Sequence, residues 1–214
     1  MVKVKICGIT NLEDGRAAIA AGADMLGFNF YPPSPRFIEP AQAREIITRL
    51  KAESADLQVT MVGIFVNEPS ESVLQIVEET GIDAVQLHGD ESPEFCAELR
   101  RILNGQRVIK ALRVKQDFQV SDVNRYEVDA IMLDAFHEEL RGGTGRTFDW
   151  ELARTTRELA PRLFLSGGLT PENVAGATVR VRPYAVDACS SLESRPGHKD
   201  ALRMKEFVQA ARRS

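Results

Sequence analysis

The chain has 214 residues, with 27 Lys+Arg against 31 Asp+Glu for a net charge of −4, and 43% of it is hydrophobic. Length and balance fit one globular domain spanning residues 1–214; they exclude a disordered, fibrous or bilayer-spanning chain and give no reason to expect nucleic acid. Cys7, Cys96 and Cys189 are widely spaced with no C-x-x-C, and Met1–Gly8 lacks a signal-peptide pattern, so the expectation is a reducing cytoplasm without a disulfide framework.

Short apolar runs alternate with helical patterns along the whole chain. The strand candidates are Val2–Ile6, Met25–Phe28, Val59–Phe65, Ala84–Leu87, Val108–Leu112, Ala130–Leu133, Leu163–Leu165 and Tyr184–Val186. Most are unbroken, as strands buried on both faces should be. Ala43/Ile46/Ile47/Leu50 and Met204/Phe207/Val208/Ala211 form the i, i+3, i+4, i+7 stripe of a helix, and Phe95/Leu99/Ile102/Leu103 match it in part. Gln116–Arg125 has a weak stripe, so the fifth connection is expected to be mostly loop. Gly22-Ala23-Asp24, Gly81-Ile82-Asp83 and Glu127-Val128-Asp129 recur where a helix ends and a strand begins. Glycine there suits the left-handed position just past a helix end. Eight strands alternating with helices at this length predict an α/β fold, a (β/α)₈ TIM barrel with a degenerate fifth helix. The alternative is an open doubly wound sheet, but no G-x-G-x-x-G follows the first strand.

Such barrels build their sites at the C-terminal ends of strands. That rule selects Cys7, Asn29 to Arg36, Asn67, His88, Arg113, Asp134, Ser166-Gly167-Gly168 and Asp187 to Ser191. The turns after strands seven and eight, Ser166–Pro171 and Asp187–Ser191, are either ordinary tight turns or a phosphate site built from backbone N–H groups. Thr170 and Pro171 have the residue types of a helix cap and first turn. Cys7 is either a small buried hydrophobe or a thiol at the mouth of the pocket, and Asp134 either a loop anchor or a working carboxylate. Gly142–Gly145 fits a lid or an idle loop, and it lacks the G-K-[ST] of a P-loop. No His or carboxylate grouping, including His137-Glu138-Glu139, has metal-ligand spacing, so no metal is expected.

Several ordered motifs carry a family likeness. Lys5-Ile6-Cys7-Gly8-Ile9-Thr10, Gly27 through Arg36, Val85-Gln86-Leu87-His88-Gly89, Gly142–Gly145, Phe148-Asp149-Trp150, Ser166 through Val174 and the Pro196–Asp200 run resemble phosphoribosylanthranilate isomerase over nearly the whole length. The resemblance implies a cofactor-free Amadori rearrangement of a phosphosugar by a cytoplasmic monomer or homodimer of tryptophan biosynthesis. It implies Cys7 as general base and Asp134 as general acid. It implies substrate binding by Arg36 at the anthranilate carboxylate, by His88, and by Gly167, Gly168, Asp187, Cys189 and Ser190 around the phosphate. The related step of histidine biosynthesis has an aspartate where this chain has Cys7.

This chain departs from the pattern in three places. Cys189 stands where the family has serine, Ser191 where it has glycine, and Asn29 where it tends to be apolar. The first costs little if backbone N–H groups hold the phosphate. The second matters only if residue 191 needs a positive φ. An ordinary carboxyl near pKa 3.9 holds its proton about one part in a thousand at pH 7. An acid at position 134 therefore needs apolar burial or a neighbouring carboxylate to favour the protonated form, and Asp187 is a candidate neighbour.

Overall fold

The computed structural model describes residues 1–53, 58–115, 118–134 and 150–213. Eight strands run parallel: β1 (Lys3–Cys7), β2 (Met25–Asn29), β3 (Thr60–Phe65), β4 (Ala84–Leu87), β5 (Arg107–Arg113), β6 (Ala130–Asp134), β7 (Leu163–Ser166) and β8 (Ala185–Ala188). They pair in chain order, and β8 returns to β1 to close the barrel. Outside them lie α1 (Leu12–Ala21), α2 (Pro40–Glu53), α3 (Ser70–Thr80), α4 (Pro93–Ile102), α5 (Trp150–Leu159), α6 (Val174–Val181) and α7 (Ala201–Arg212). The fifth connection holds only a 3₁₀ turn, Val120–Arg125.

Sequence patterning accounts for most of this. The buried residues of α2 are Ala43, Ile46, Ile47 and Leu50, and those of α7 are Met204, Phe207, Val208 and Ala211, which are the two stripes read from the sequence. Asn11, Ser92 and Asp200 accept backbone N–H groups at the starts of α1, α4 and α7. Gly22 and Gly81 close α1 and α3 in the left-handed conformation, at φ 97° and 67°. One boundary differs: α6 begins at Val174, not at Pro171. Thr170 Oγ1 accepts from Glu172 N while Asn173 Oδ1 accepts from Thr170 N, so these hydrogen bonds organise a turn before the helix.

The recurring aspartates have a common job that the glycines alone did not reveal. Asp24, Asp83 and Asp129 each accept, through a carboxylate oxygen, the N–H of the strand before their own: Val4 N at 2.9 Å, Met61 N at 2.8 Å and Val108 N at 2.8 Å. Each also donates its own N–H to the carbonyl of that same residue. The motif pins β1 to β2, β3 to β4 and β5 to β6 in register at the N-terminal mouth.

The apolar interior has two layers, because strand side chains alternate between faces. Val4, Ile6, Leu26, Phe28, Val85 and Leu87 face the helices in the larger cluster. Met25, Val62, Ile109, Met132, Phe164 and Ala185 belong to the smaller cluster inside the barrel. The inward parity continues up each strand to its C-terminal end, where polar residues replace apolar ones. On β1 it reaches Lys5 and Cys7, on β4 Gln86 and His88, on β6 Asp134, on β7 Ser166 and on β8 Asp187 and Cys189. After β8 a small antiparallel hairpin, β9 (Glu193–Arg195) and β10 (His198–Lys199), folds back beside this end.

Candidate active site

The first cluster lies where β1 meets β8. Lys5 is 0% exposed, and its Nζ donates to Asp187 Oδ1 at 2.7 Å; Asp187 Oδ2 also accepts from Ser166 Oγ at 3.0 Å. Burial opposes the charge on Lys5, but Asp187 and the neighbouring Cys7 outweigh it and hold the ammonium above its ordinary pKa. Cys7 sits at the strand end, half-buried. Its hydrogen bond with Cys189, helped by the Lys5 charge, brings the thiol down to about pKa 6 against the opposing effect of burial. The same bond, together with burial, pushes Cys189 up, so Cys7 is the acidic partner. Gly27 makes room for it: a Cβ there would lie 2.9 Å from Cys7 Sγ and 3.1 Å from its Cα.

Across the rim, Asp134 Oδ2 lies 3.0 Å from His88 Nε2, and His88 Nδ1 lies 2.8 Å from Gln86 Nε2. Gln86, His88 and Asp134 thus form one hydrogen-bonded chain along the rim. This corrects the expected pairing of Asp134 with Asp187. The Asp187 carboxylate is taken by Lys5 and Ser166, and the neighbour of Asp134 is a histidine. Behind His88, Glu91 accepts from the N–H groups of Asn67 and Gly89 and pairs with buried Lys110 at 2.6 Å, fixing the loops after β3 and β4.

The third group hangs on the loop after β2. Asn29 Oδ1 accepts from Tyr31 N, its Nδ2 donates to Ser34 Oγ, and Ser34 Oγ accepts from Arg36 N. Asn29 thus braces the loop that carries Arg36. The Arg36 guanidinium donates from Nε and Nη2 to both oxygens of Glu193, at 2.8 and 2.7 Å. That edge of the fork is spent, while the end face formed by Nη1 and Nη2 still offers two parallel donors. Glu193 Oε1 also accepts from Lys199 Nζ at 3.0 Å, and Lys199 Nζ reaches the Cys189 carbonyl at 3.1 Å. Burial opposes ionisation of Glu193, but its bonds to Arg36 and Lys199 prevail and hold the carboxyl below the usual range.

The turns after β7 and β8 form the fourth group. Gly167 and Gly168 have φ of +90° and +68°, a pair of left-handed conformations that only glycine adopts without strain. Among the described residues their N–H groups meet no acceptor. Ser190–Leu192 is a short 3₁₀ turn, and Ser191 Oγ donates to Leu169 O at 2.5 Å, tying the two turns together. Ser191 does not have a positive φ, so serine in place of glycine is unstrained there.

All the expected site residues that the structure describes converge on this rim, while Gly142–Gly145, Phe148, Asp149 and His137 lie outside the described residues. Lys5, Gln86, Glu193 and Lys199 were not singled out from the sequence. Lys5 and Gln86 had a readable signal, since each is a polar residue inside an apolar run, two positions before Cys7 and His88. A cleft lined by Lys3, Arg107, Arg162 and Tyr184 opens at the other mouth, at the strands' N-terminal ends, where these barrels keep stability rather than chemistry.

Residues 4–210 match the family model of N-(5′-phosphoribosyl)anthranilate (PRA) isomerase. The chain belongs to that family. It is 50% identical over 214 residues to the N-(5′-phosphoribosyl)anthranilate isomerase of Rubrobacter xylanophilus, covering 99% of this chain and 100% of the relative. The crystal structure of phosphoribosyl anthranilate isomerase from Thermotoga maritima superposes with a TM-score of 0.88 at 43% identity, covering 100% of both chains. A further isomerase structure, in complex with reduced 1-(o-carboxyphenylamino)-1-deoxyribulose 5-phosphate, superposes at 0.85 with 41% identity and full coverage of both chains. Membership makes this chain an isomerase, and the four groups at the rim are the places to look for its chemistry.

Proposed function

We propose that this phosphoribosylanthranilate isomerase converts N-(5′-phosphoribosyl)anthranilate to the ring-opened 1-deoxyribulose 5-phosphate with Cys7 as base and the Asp134–His88 couple as acid. The rearrangement needs one proton delivered to the furanose ring oxygen and another removed from C2′. The observation that carries the reading is that a thiol of lowered pKa on β1 and a histidine-bonded carboxylate on β6 face one rim from well-separated strands. The solved complex of a relative with a reduced phosphosugar bearing a carboxyphenyl group fits a ligand lying between them.

In this reading Asp134 engages the substrate in its protonated form and passes that proton to the ring oxygen, leaving a carboxylate beside the His88 ring; solvent returns the proton after turnover. Ring opening leaves a Schiff base conjugated to the anthranilate nitrogen. Cys7 thiolate then takes the C2′ proton, giving an enolamine that tautomerises to the ketone. The two distal charges of the substrate fix the ribose: phosphate at the N–H groups of Gly167, Gly168 and the Cys189–Ser190 turn, and carboxylate at the free end of Arg36. Asp187 contributes by holding Lys5, two residues before Cys7 on β1, with its carboxylate engaged by Lys5 and Ser166.

Turnover of the anthranilate substrate by Cys7→Ala and Asp134→Asn tests the assignment. Each variant should fold and lose at least about a hundredfold in kcat, the lower end of what one positioned acid or base contributes. A folded variant with near-normal turnover would remove that residue from the mechanism.

A further inference from the structure

Cys189 does more at this rim than stand in for a hydroxyl. We propose that Cys7 and Cys189 form a peroxide-sensitive thiol pair, joined by two-electron oxidation into a disulfide that switches the site off. The consequence for turnover rests on the assignment of Cys7 above; the formation of the bond does not.

The backbone brings the two residues together. β1 and β8 pair in register from Lys3↔Ala185 to Ile6↔Ala188, and the next step along both chains sets Cys7 opposite Cys189. Adjacent strands run about 4.8 Å apart, inside the Cα separation of about 4.4–6.8 Å that a disulfide spans. Each thiol is the strongest influence on the ionisation of the other, which places the two sulfurs within reach. Gly8 leaves the space open: a Cβ there would lie 2.9 Å from Cys189 Sγ. Both cysteines are half-buried, whereas Cys96 is fully buried on the inner side of α4.

The charges favour the reaction. Lys199 Nζ lies 3.7 Å from Cys189 Sγ, Lys5 stands beneath Cys7, and Arg36 flanks both. Asp187 pairs with Lys5, and Glu193 pairs with Arg36 and Lys199, so three cations face two carboxylates around the thiols. A thiolate held by such cations is the form that peroxide attacks.

In the first step Cys7 S⁻ attacks hydrogen peroxide, breaking the O–O bond to give Cys7–SOH and hydroxide. In the second, the Cys189 thiol attacks the sulfenic sulfur, forming S–S and releasing water. The two sulfurs together lose two electrons and the peroxide gains them. The disulfide removes the base, and dithiol exchange restores it.

The test uses the full reduced chain, exposed to hydrogen peroxide and digested without reductant. The expected product is a linked pair of peptides carrying Cys7 and Cys189, lighter by two hydrogens, with Cys96 recovered as a free thiol. Activity should fall at least about tenfold in step with linkage and return with dithiothreitol, as reversible thiol oxidation requires. In Cys189→Ser, compared with its own untreated control, the Cys7 sulfenic acid has no partner, so dimedone should trap it there and label the parent chain far less. Oxidation of Cys7 in the parent to a dimedone adduct or sulfinic acid without the linked peptide would overturn the proposal. Complete linkage with turnover unchanged would overturn the switch. An untreated enzyme inactive on the anthranilate substrate would refute the proposed function instead, leaving the linked peptide to decide the thiol pair.

Discussion

Cys7 shows how far a residue's chemistry depends on its neighbours. An ordinary thiol, with a pKa near 8.5, is a few per cent ionised at neutral pH. Beside Cys189 and above Lys5, the Cys7 thiol is brought down to about 6. The sign follows: lowering the pKa moves reactivity to lower pH. Iodoacetamide should therefore modify Cys7 at a rate that climbs through about pH 6 and then levels off, while Cys96, pushed up to about 11 by burial, stays unlabelled. A Cys7 profile still rising steeply at pH 8 would show that these neighbours do not hold the thiolate. Arg36 gives a second check at this scale. Its Nε edge belongs to Glu193, so the proposed carboxylate recognition falls to its remaining end face. Arg36→Met should raise KM at least about tenfold with a smaller effect on kcat, since lost charge-assisted bonds cost roughly 1.5–3 kcal/mol. An analogue without the anthranilate carboxylate should show no such penalty; an equal penalty would deny Arg36 that role.

At the scale of elements, the repeated aspartate is the informative feature. A Gly at the helix end and an Asp before the strand form one device: the glycine turns the chain, and the carboxylate then captures the N–H of the preceding strand. Losing that acceptor should leave Met61 N without a partner at the strand start, a loss of about 1–3 kcal/mol. Asp83→Ala should thus lower Tm by roughly 2–10 °C in a chain of this length, with kcat unaffected because the motif sits at the opposite mouth. Asp83→Asn, which keeps an oxygen acceptor, should recover most of it. If thermal scans cannot tell Asp83→Ala from the parent, the aspartate does not hold the register.

At the scale of the whole molecule, the barrel closes where β8 meets β1, and a buried ion pair between residues 182 positions apart lies on that seam. Two buried charges stabilise little as a pair, but either one alone is costly. Lys5→Met should therefore destabilise by roughly 3–5 kcal/mol, a Tm loss on the order of 10 °C, through the stranded Asp187 carboxylate. Lys5→Met combined with Asp187→Leu should melt higher than Lys5→Met alone. Strictly additive losses in calorimetry would show that the two side chains do not act as a unit.

The sequence by itself determined the barrel, because strand runs, helix stripes and boundary glycines are local signals, each set by burial or backbone sterics within a few residues. It also marked the end where polar residues gather as the apolar runs stop, and the family resemblance pointed to Cys7, Asp134 and Arg36 there. Tertiary structure decided the partnerships. That Asp134 meets His88 rather than Asp187, that Glu193 occupies half of the Arg36 fork, and that Cys189 follows β8 beside Cys7 depend on strand order and inward parity around a closed ring. Such contacts leave no trace in local pattern, because they join residues 46, 157 and 182 positions apart whose proximity exists only once the barrel has closed.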